Sequence, residues 1–184
     1  MHHLRPARIE DAPVLARVHI DTWRSTYGGI VPEAFLAGLS YERSAARWSE
    51  TLTQLSPEGV VLVAETPSGQ VVGFASAGPL REPLADCDAE IYALYILQAY
   101  QGVGLGRQLV AQCARELAGK GFRSLVIWAL KENPACGFYE RLGGQRSGEK
   151  IVEIGGAPLV DVAFIWRELA ALSKETPHHS RQKV

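Results

Sequence analysis

A glycine-rich segment at residues 101–107, with the sequence QGVGLGR, constrains the fold of this chain more than any other feature. An apolar run at residues 90–97 precedes it, and a strongly helical stretch at residues 105–119 follows. Glycines let a backbone approach an anion closely, and the first N–H groups of a helix point at that anion. The helix dipole adds roughly half a positive charge at the same end. Strand, glycine turn and helix therefore predict a site for a phosphate-bearing cofactor.

The spacing of the glycines narrows the class of cofactor. A dinucleotide fingerprint requires G-x-G-x-x-G, but Arg107 stands where the third glycine would have to lie. A P-loop requires Gly-Lys followed by Ser or Thr, and this loop has no such lysine. The pattern that fits is Q-x-x-G-x-G, formed by Gln101, Gly104 and Gly106. It resembles the acetyl-CoA loop of the GNAT superfamily of N-acetyltransferases, although a plain strand-to-helix turn fits the same glycines.

A second segment, at residues 132–144, resembles another motif of that superfamily. It follows an apolar run at residues 124–130, contains Asn133, carries Phe138 and Tyr139 on a helical stretch and ends in glycine. The two motifs occur in the family's order, each after a predicted strand and with one helix between them. Because both occur together, the chain is identified as a member of the GNAT superfamily.

The resemblance extends over residues 4–168, nearly the whole chain. Residues 19–32 resemble the first two helices of one bacterial branch, and residues 155–166 resemble its last hairpin. The resemblance implies a mixed α/β fold with a central, mostly antiparallel sheet. It further implies that the sheet splays apart at its fourth and fifth strands and has helices on both faces.

Hydrophobic periodicity predicts the same order of elements. The predicted strands cover residues 4–9, 59–65, 71–78, 90–97, 123–130, 146–154 and 159–167. The predicted helices cover residues 10–27, a stretch from 32 onward, 41–55, 104–119 and 134–142. We expect one domain over residues 1–172 and a polar, disordered tail over residues 173–184.

Composition argues against several classes of function. The 184 residues carry a net charge of −1, so the chain lacks the basic surface expected for nucleic-acid binding. No apolar run reaches the length of a membrane span and the first residues lack a signal-peptide core, so we expect no membrane partner and a cytoplasmic location. The cysteines, Cys87, Cys113 and Cys136, are widely spaced, which predicts neither disulfides nor a metal site.

Acetyl transfer from a thioester to an amine needs a base for the amine, donors for the oxyanion and an acid for the leaving thiolate. The resemblance implies that Glu90 is the general base, with the proton relayed through water. It also implies that Tyr139 protonates the thiolate of CoA. The alternatives are a salt bridge or solvated strand end for Glu90 and a core tyrosine for Tyr139.

The resemblance also implies acetyl-CoA as the co-substrate and assigns its site. Backbone groups of Leu94, Tyr95 and Ile96 are expected to bind the thioester carbonyl and the pantetheine amides. The pyrophosphate is expected on the backbone of the loop, which consists of Gln101, Gly102, Val103, Gly104, Leu105, Gly106 and Arg107.

Two positions depart from the family's pattern. Relatives often carry Lys or Arg where this chain has Val103, and Arg107 is the candidate to replace that charge. Asn133 is expected to contact the CoA chain together with Tyr139, but the two lie one residue closer in sequence than the commonest family spacing.

The acceptor side rests on aromatic residues. Trp23, Tyr27 and Tyr92 are predicted to line a cleft over the acetyl group, because aromatic faces attract ammonium groups. Helix packing is the alternative for Trp23 and Tyr27. Along a regular strand, side-chain alternation places Glu90 and Tyr92 on the same face as Leu94.

The predicted function is N-acetyl transfer from acetyl-CoA to a primary amine, by direct attack in a ternary complex. A non-catalytic acyl-CoA-binding sensor or scaffold and transfer of a longer acyl group are the alternatives. The acceptor stays open among small-molecule amines, antibiotics, polyamines and protein N-termini. Homodimers are common in the superfamily, and the apolar strand ending at Trp166 is a candidate interface.

Overall fold

The computed structural model describes residues 2–173. Its strands are β1 (His3–Pro6), β2 (Val60–Glu65), β3 (Val71–Pro79), β4 (Ala89–Ile96), β5 (Leu125–Leu130), β6 (Gln145–Ile154) and β7 (Ala157–Trp166). Its α-helices are α1 (Ala12–Thr26), α2 (Glu33–Ala37), α3 (Tyr41–Thr53), α4 (Leu105–Gly119), α5 (Cys136–Arg141) and α6 (Ala170–Ser173). The tail predicted to be disordered lies, from residue 174 on, outside the described residues.

The strands join one sheet in the order β1-β2-β3-β4-β5-β7-β6. Every neighbouring pair is antiparallel except β4 and β5, which run parallel. Parallel neighbours need a crossover connection, and α4 lies between these two strands in the chain. The mostly antiparallel sheet with helices on both faces confirms the predicted fold class.

Alternation along the strands builds a core on each face of the sheet. In β2, Val60 and Leu62 pack into the cluster that contains the buried side of α4, whereas Val61 and Val63 pack with Leu15 of α1. Successive side chains of a strand point to opposite faces, so one short apolar run serves both layers. The result is a sheet buried between α4 on one side and α1 with α3 on the other.

Helix α4 owes its position to a regular apolar stripe. Leu105, Leu109, Cys113 and Leu117 recur every four residues and are at most 1% exposed. Such a spacing aligns the side chains along one side of the helix. The stripe holds the first turn of α4 against the sheet, and the glycine-rich segment immediately precedes that turn.

The sheet opens between β4 and β5. Their ladder joins Ala89 with Leu125, Glu90 with Val126 and Ile91 with Ile127, and it ends there. Beyond Ile91, β4 pairs only with β3 on its other side. The splay expected at the fourth and fifth strands is therefore present, and it leaves one backbone edge of β4 without a strand partner.

A β-bulge at Tyr92 changes which side chains of β4 share a face. In the β3–β4 ladder, Ser76 lies opposite Ala93 and Ala77 lies opposite Ile91, so Tyr92 is an extra residue. As a result Ile91 and Leu94 both pack into the α4-side core, whereas Ala93 packs on the α1 side. The expectation that Glu90 shares a face with Leu94 was wrong, because a bulge interrupts the alternation on which it rested.

Element boundaries differ from the predictions by a few residues. The first strand ends at Pro6 rather than at Ile9, and a 3₁₀ turn, Ile9–Asp11, leads into α1. Arg5 stabilises this corner, since its guanidinium binds Asp11 at 2.7 Å and Glu65 at 2.6 Å.

Within residues 2–173, no helix is long and apolar enough to cross a membrane. Over the same range, no group of three or more His, Cys, Asp or Glu side chains is placed to hold a metal ion.

Candidate active site

The opening between β4 and β5 forms a cleft of about 670 Å³. Its walls are the end of α1, the splayed half of β4, the glycine loop, the end of β5 and α5. Twelve of the predicted site residues line it: Tyr27, Tyr92, Leu94, Tyr95, Ile96, Gln101, Gly102, Gly104, Gly106, Arg107, Asn133 and Tyr139. The predicted residues Trp23, Glu90, Val103 and Leu105 do not line it.

The glycine loop needs glycine at two positions for conformational reasons. Gly102 and Gly104 have φ angles of 76° and 87°, in the left-handed region that side chains disfavour. Gly106 is needed for space instead, because a Cβ there would lie 3.1 Å from the ring of Phe138. Between them, Leu105 is buried in the core and Val103 is 61% exposed. The loop therefore presents backbone N–H groups, rather than side chains, at the start of α4.

The free edge of β4 supplies further backbone groups to the cleft. Leu94, Tyr95 and Ile96 are held by β3 on one side, and no strand pairs with their other side. Gln101 closes part of this edge, since its Nε2 donates to the carbonyl oxygen of Ile96 at 2.8 Å. An extended ligand lying in the cleft would find the remaining groups of this edge available as donors and acceptors.

Tyr139 lies in the cleft wall and is 5% exposed. Its ring packs against Phe164, with ring centroids 5.4 Å apart. Among the described residues, its hydroxyl has no hydrogen-bond partner within the protein. Burial, with smaller contributions from Tyr95 and Cys136, raises the pKa of Tyr139 well above its ordinary value. The phenol is therefore protonated at neutral pH and can donate a proton or a hydrogen bond to a group in the cleft.

Asn133 connects α5 to the end of α1. Its Nδ2 donates to the hydroxyl of Tyr27 at 2.9 Å, and its Oδ1 accepts from the backbone N–H of Ala135 at 2.8 Å. Burial raises the pKa of Tyr27, and the hydrogen bond from Asn133 only partly offsets this. Asn133 thus fixes the orientation of Tyr27 at the cleft, and both of its own polar atoms are occupied in doing so.

Trp23 does not line the cleft but contacts two residues that do, Tyr27 and Tyr95. Its Nε1 donates to the hydroxyl of Tyr95 at 3.0 Å, and its ring contacts Tyr27 with centroids 4.8 Å apart. His19 stacks on the other side of Tyr95 at a centroid distance of 4.9 Å. Burial lowers the pKa of His19 to about 4, so its imidazole is neutral at physiological pH. Trp23 therefore positions Tyr27 and Tyr95.

Glu90 is enclosed by the β3–β4 connection. It is 3% exposed, and the guanidinium of Arg81 binds its carboxylate while the backbone N–H of Arg81 donates to it at 3.3 Å. Arg81 also lies over the ring of Tyr92, 5.0 Å from the centroid. The hydroxyl of Tyr92 donates to the carbonyl oxygen of Pro79. Arg81 thus joins Glu90 to the aromatic wall, although the carboxylate itself does not line the cleft.

Several residues of the cleft were not predicted. Arg141 lines the cleft near α5 and adds a cation to that of Arg107. Thr22, Ser25 and Thr26 add a polar wall from α1, and the Oγ1 of Thr22 is buried without a partner among the described residues. The only sequence signal for the α1 group was the helical spacing of 22, 25 and 26, which is equally typical of a solvated face.

An opening with an anion-binding loop at one end and a buried phenol at the other is the architecture of CoA-dependent acyltransferases. Residues 21–144 match the family model of the acetyltransferase (GNAT) family. The chain belongs to this family, and we therefore assign it as an acetyl-CoA-dependent acetyltransferase.

Individual relatives agree with the assignment. The chain is 38% identical to the uncharacterised N-acetyltransferase YuaI of Bacillus subtilis, over 92% of this chain and 95% of YuaI. The structure of ribosomal-protein-alanine N-acetyltransferase from Brucella melitensis superposes with a TM-score of 0.69 at 25% identity, covering 89% of this chain and 98% of that one. The PaiA N-acetyltransferase of Thermoplasma acidophilum, solved with coenzyme A, superposes with a TM-score of 0.63 at 20% identity, covering 88% and 98%.

Proposed function

We propose that this protein transfers the acetyl group of acetyl-CoA to a primary amine by direct attack within a ternary complex. The observation that carries the proposal is the single cleft that joins the glycine loop to Tyr139 along the free edge of β4. A cofactor with a phosphate end and a thioester end could span this path. Its thioester would then lie beside a protonated phenol, with space on the α1 side for an acceptor.

The donor half of the proposed site consists of backbone groups and two cations. The N–H groups at Gly102, Gly104 and Gly106 are placed to bind the pyrophosphate. Arg107 and Arg141 lie at the same cleft and add positive charge, which compensates for the uncharged Val103. The backbone edge at residues 94–96 would bind the pantetheine amides and the thioester carbonyl.

Tyr139 is the proposed acid. The amine nitrogen attacks the thioester carbonyl carbon, the C–S bond breaks, and the proton of the Tyr139 hydroxyl passes to the departing sulfur. The tyrosinate regains a proton from the ammonium formed at nitrogen or from solvent. A thiolate of pKa near 8.5 is a base that a phenol in contact can protonate. Because the pKa of Tyr139 is raised, its phenol is present in the acid form at neutral pH.

Glu90 is the proposed base. It lies at the last ladder positions before the sheet opens, one residue from the cleft-lining Ile91. Because Arg81 encloses the carboxylate, the proton of the acceptor would reach Glu90 through water rather than directly.

The acceptor belongs to the proposal only as a class. The Brucella relative is named for the alanine of a ribosomal protein, and a protein N-terminus and a small-molecule amine are both primary amines. Trp23, Tyr27 and Tyr92 are proposed to form the acceptor side, with Trp23 acting through Tyr27. A cytoplasmic location, one domain ending at residue 172 and a homodimer through β7 stay predictions from the sequence.

Thiol release from acetyl-CoA across a panel of amines tests the proposal. Release that depends on an added amine, in equimolar amount with acetylated product, is the expected result. Calorimetric binding of acetyl-CoA, measured on the same sample, separates the alternatives. Binding without amine-dependent release from any acceptor class would contradict the proposed function and favour an acyl-CoA sensor. A longer acyl-CoA preferred by at least tenfold in kcat/KM would replace acetyl as the transferred group.

A further inference from the structure

Asp161 of β7 lies on the face of the sheet that carries the acceptor wall. It pairs with Leu130 of β5 on one side and with Lys150 of β6 on the other. Cross-strand partners in antiparallel strands share a face. Leu130 packs in the cluster that contains Tyr27, so Asp161 lies next to that cluster, although it is not among the residues that line the cleft itself. One step further along β5 on that face is Trp128, which lines the cleft.

The carboxylate of Asp161 has no protein partner. Within residues 2–173, it makes no hydrogen bond, and no cation lies within 4.0 Å of it. The two nearby cations are bound elsewhere: Lys150 pairs with Glu82 at 2.9 Å, and Arg81 pairs with Glu90. Glu90 is a second carboxylate near this face, but it forms an ion pair with Arg81. Asp161 therefore differs from Glu90 in having no direct ion pair among the described residues, although Lys150 and Arg81 are near enough to lower its pKa.

A charge without an ion pair is costly in the environment of Asp161. The residue is half-buried, and desolvation raises its pKa from the ordinary value for aspartate. Burial is the main cause that raises the pKa of Tyr27 and of Tyr95, and the charge of Asp161 adds a smaller contribution in the same direction. A partly buried carboxylate gains most from a cation that hydrogen-bonds to it. Aromatic rings nearby favour the same kind of ligand.

We propose that Asp161 binds the ammonium group of a cationic acceptor and so selects positively charged amines for the site. This inference rests on the proposed function, since it names the group that holds the acceptor. The donor does not compete for the position, because the phosphates of CoA are anionic and a carboxylate repels them. Tyr27, in the neighbouring cluster, offers an aromatic ring to the ammonium, while Asp161 supplies its counter-charge.

The test uses two probes of one shape, benzylamine, which is a cation at neutral pH, and benzyl alcohol, which is neutral. Each is titrated by calorimetry into the full chain saturated with CoA. We expect the wild type to bind benzylamine at least tenfold more tightly than the alcohol, and Asp161→Asn to remove that preference. Wild-type protein without the preference would overturn the proposal, as would an Asp161→Asn variant that retains it.

Two further variants separate a charge effect from a structural one. Glu149→Gln removes a half-exposed carboxylate that pairs with Lys131, the residue after β5, and it is expected to bind both probes like the wild type. Asp161→Glu keeps the charge and is expected to retain most of the preference. CoA affinity serves as the measure of folding, and we expect it to be unchanged in all three variants. A loss of benzylamine binding in Glu149→Gln equal to that in Asp161→Asn would overturn the proposal.

Thiol release measured on the same variants distinguishes this inference from the proposed function. For a cationic amine that the wild type acetylates, Asp161→Asn should raise KM at least tenfold and change kcat less. Unchanged KM would overturn the role of Asp161 while leaving acetyl transfer intact. Ammonium binding that requires Asp161, without transfer to any amine, would support Asp161 and contradict the proposed function instead.

Discussion

The two halves of the cleft are built in different ways. The donor half uses backbone groups of β4 and of the adjacent loop, within one continuous stretch of chain from residue 89 to residue 107. The acceptor half uses side chains brought together from distant positions. Tyr27 meets Asn133 across 106 residues, and Trp23 meets Tyr95 across 72 residues. A site made of backbone tolerates many side-chain changes, whereas one made of side chains changes with each substitution.

The difference teaches where the chemistry and the selectivity of the enzyme are to be sought. Backbone donors at residues 102–106 can bind a phosphate whatever the acceptor is. In the proposed site, the charges of Arg81 and Asp161 and the rings of Tyr27 and Tyr92 belong to the acceptor side, where a substrate must be distinguished. Tyr139 lies at the junction, because it reaches the cleft from α5, where its ring packs against Phe138 and Phe164.

The largest effect is expected at that junction. Tyr139→Phe should lower kcat about 100- to 10,000-fold, the range typical of general acid catalysis, because it removes the proton donor and keeps the ring. Affinity for acetyl-CoA should stay within about twofold, since the loop is untouched. Thiol-release kinetics and calorimetry measure the two quantities, and circular dichroism checks the fold. A kcat within about twofold of wild type would show that Tyr139 is only a core residue.

Glu90→Gln tests whether the Glu90 carboxylate, which lies where the sheet opens, takes part in proton transfer. We expect turnover at neutral pH to fall about tenfold or more, since a general base contributes at least that much, with acetyl-CoA binding intact. Arg81→Gln is the matched variant, because it removes the partner and keeps the carboxylate. Turnover that is equally low in both variants, with equal loss of thermal stability, would instead assign the ion pair a structural role.

Gly104→Ala tests the backbone nature of the donor half. A φ of 87° costs a residue with a Cβ about 1–2 kcal/mol, so the loop should distort and acetyl-CoA affinity should fall roughly tenfold. Gly119→Ala, at the other end of α4, meets no atom within 4 Å and should bind acetyl-CoA normally. Calorimetric titration measures both. Equal affinities in the two variants would mean that side chains, rather than the loop backbone, bind the phosphates.

The smallest effect is expected in the acceptor half. Tyr27→Phe removes the hydrogen bond with Asn133 and should cost about 1 kcal/mol of stability, a typical net value for one such bond. KM for the amine should change several-fold, while affinity for acetyl-CoA should not. Asn133→Ala and the double variant complete a thermodynamic cycle by urea unfolding. Additive losses of stability would show that the hydrogen bond makes no net contribution.

Some of these features followed from the sequence because their causes are local. Glycines at positions 102 and 104 favour left-handed backbone conformations. Apolar residues at every fourth position from Leu105 to Leu117 are typical of the buried side of a helix. The conformation of the loop was therefore predictable, apart from the inward direction of Leu105, which packs in the core. The same locality explains why the order of strands and helices along the chain was predicted, since it depends on the period of apolar residues.

Other features followed only from the fold. No local pattern marks Tyr92 as a bulge, because it takes the partner strand to show that two residues of β3 face three of β4. The enclosure of Glu90 by Arg81 depends on how the β3–β4 connection folds back over the strand. The need for glycine at position 144 also follows only from the fold, because a Cβ there would lie 2.6 Å from the ring of Trp166, which already fills the space. In each case the partner comes from another segment.

The sequence by itself determined the family, the order of strands and helices, and the position of the anion-binding loop. These depend on the period of apolar residues and on the conformational freedom of glycine, which act over a few neighbouring positions. The tertiary structure alone decided which carboxylate forms an ion pair and which forms none among the described residues, as Glu90 and Asp161 illustrate. The charge state and the partners of a side chain depend on burial and on residues distant in sequence, which become neighbours only when the sheet has formed.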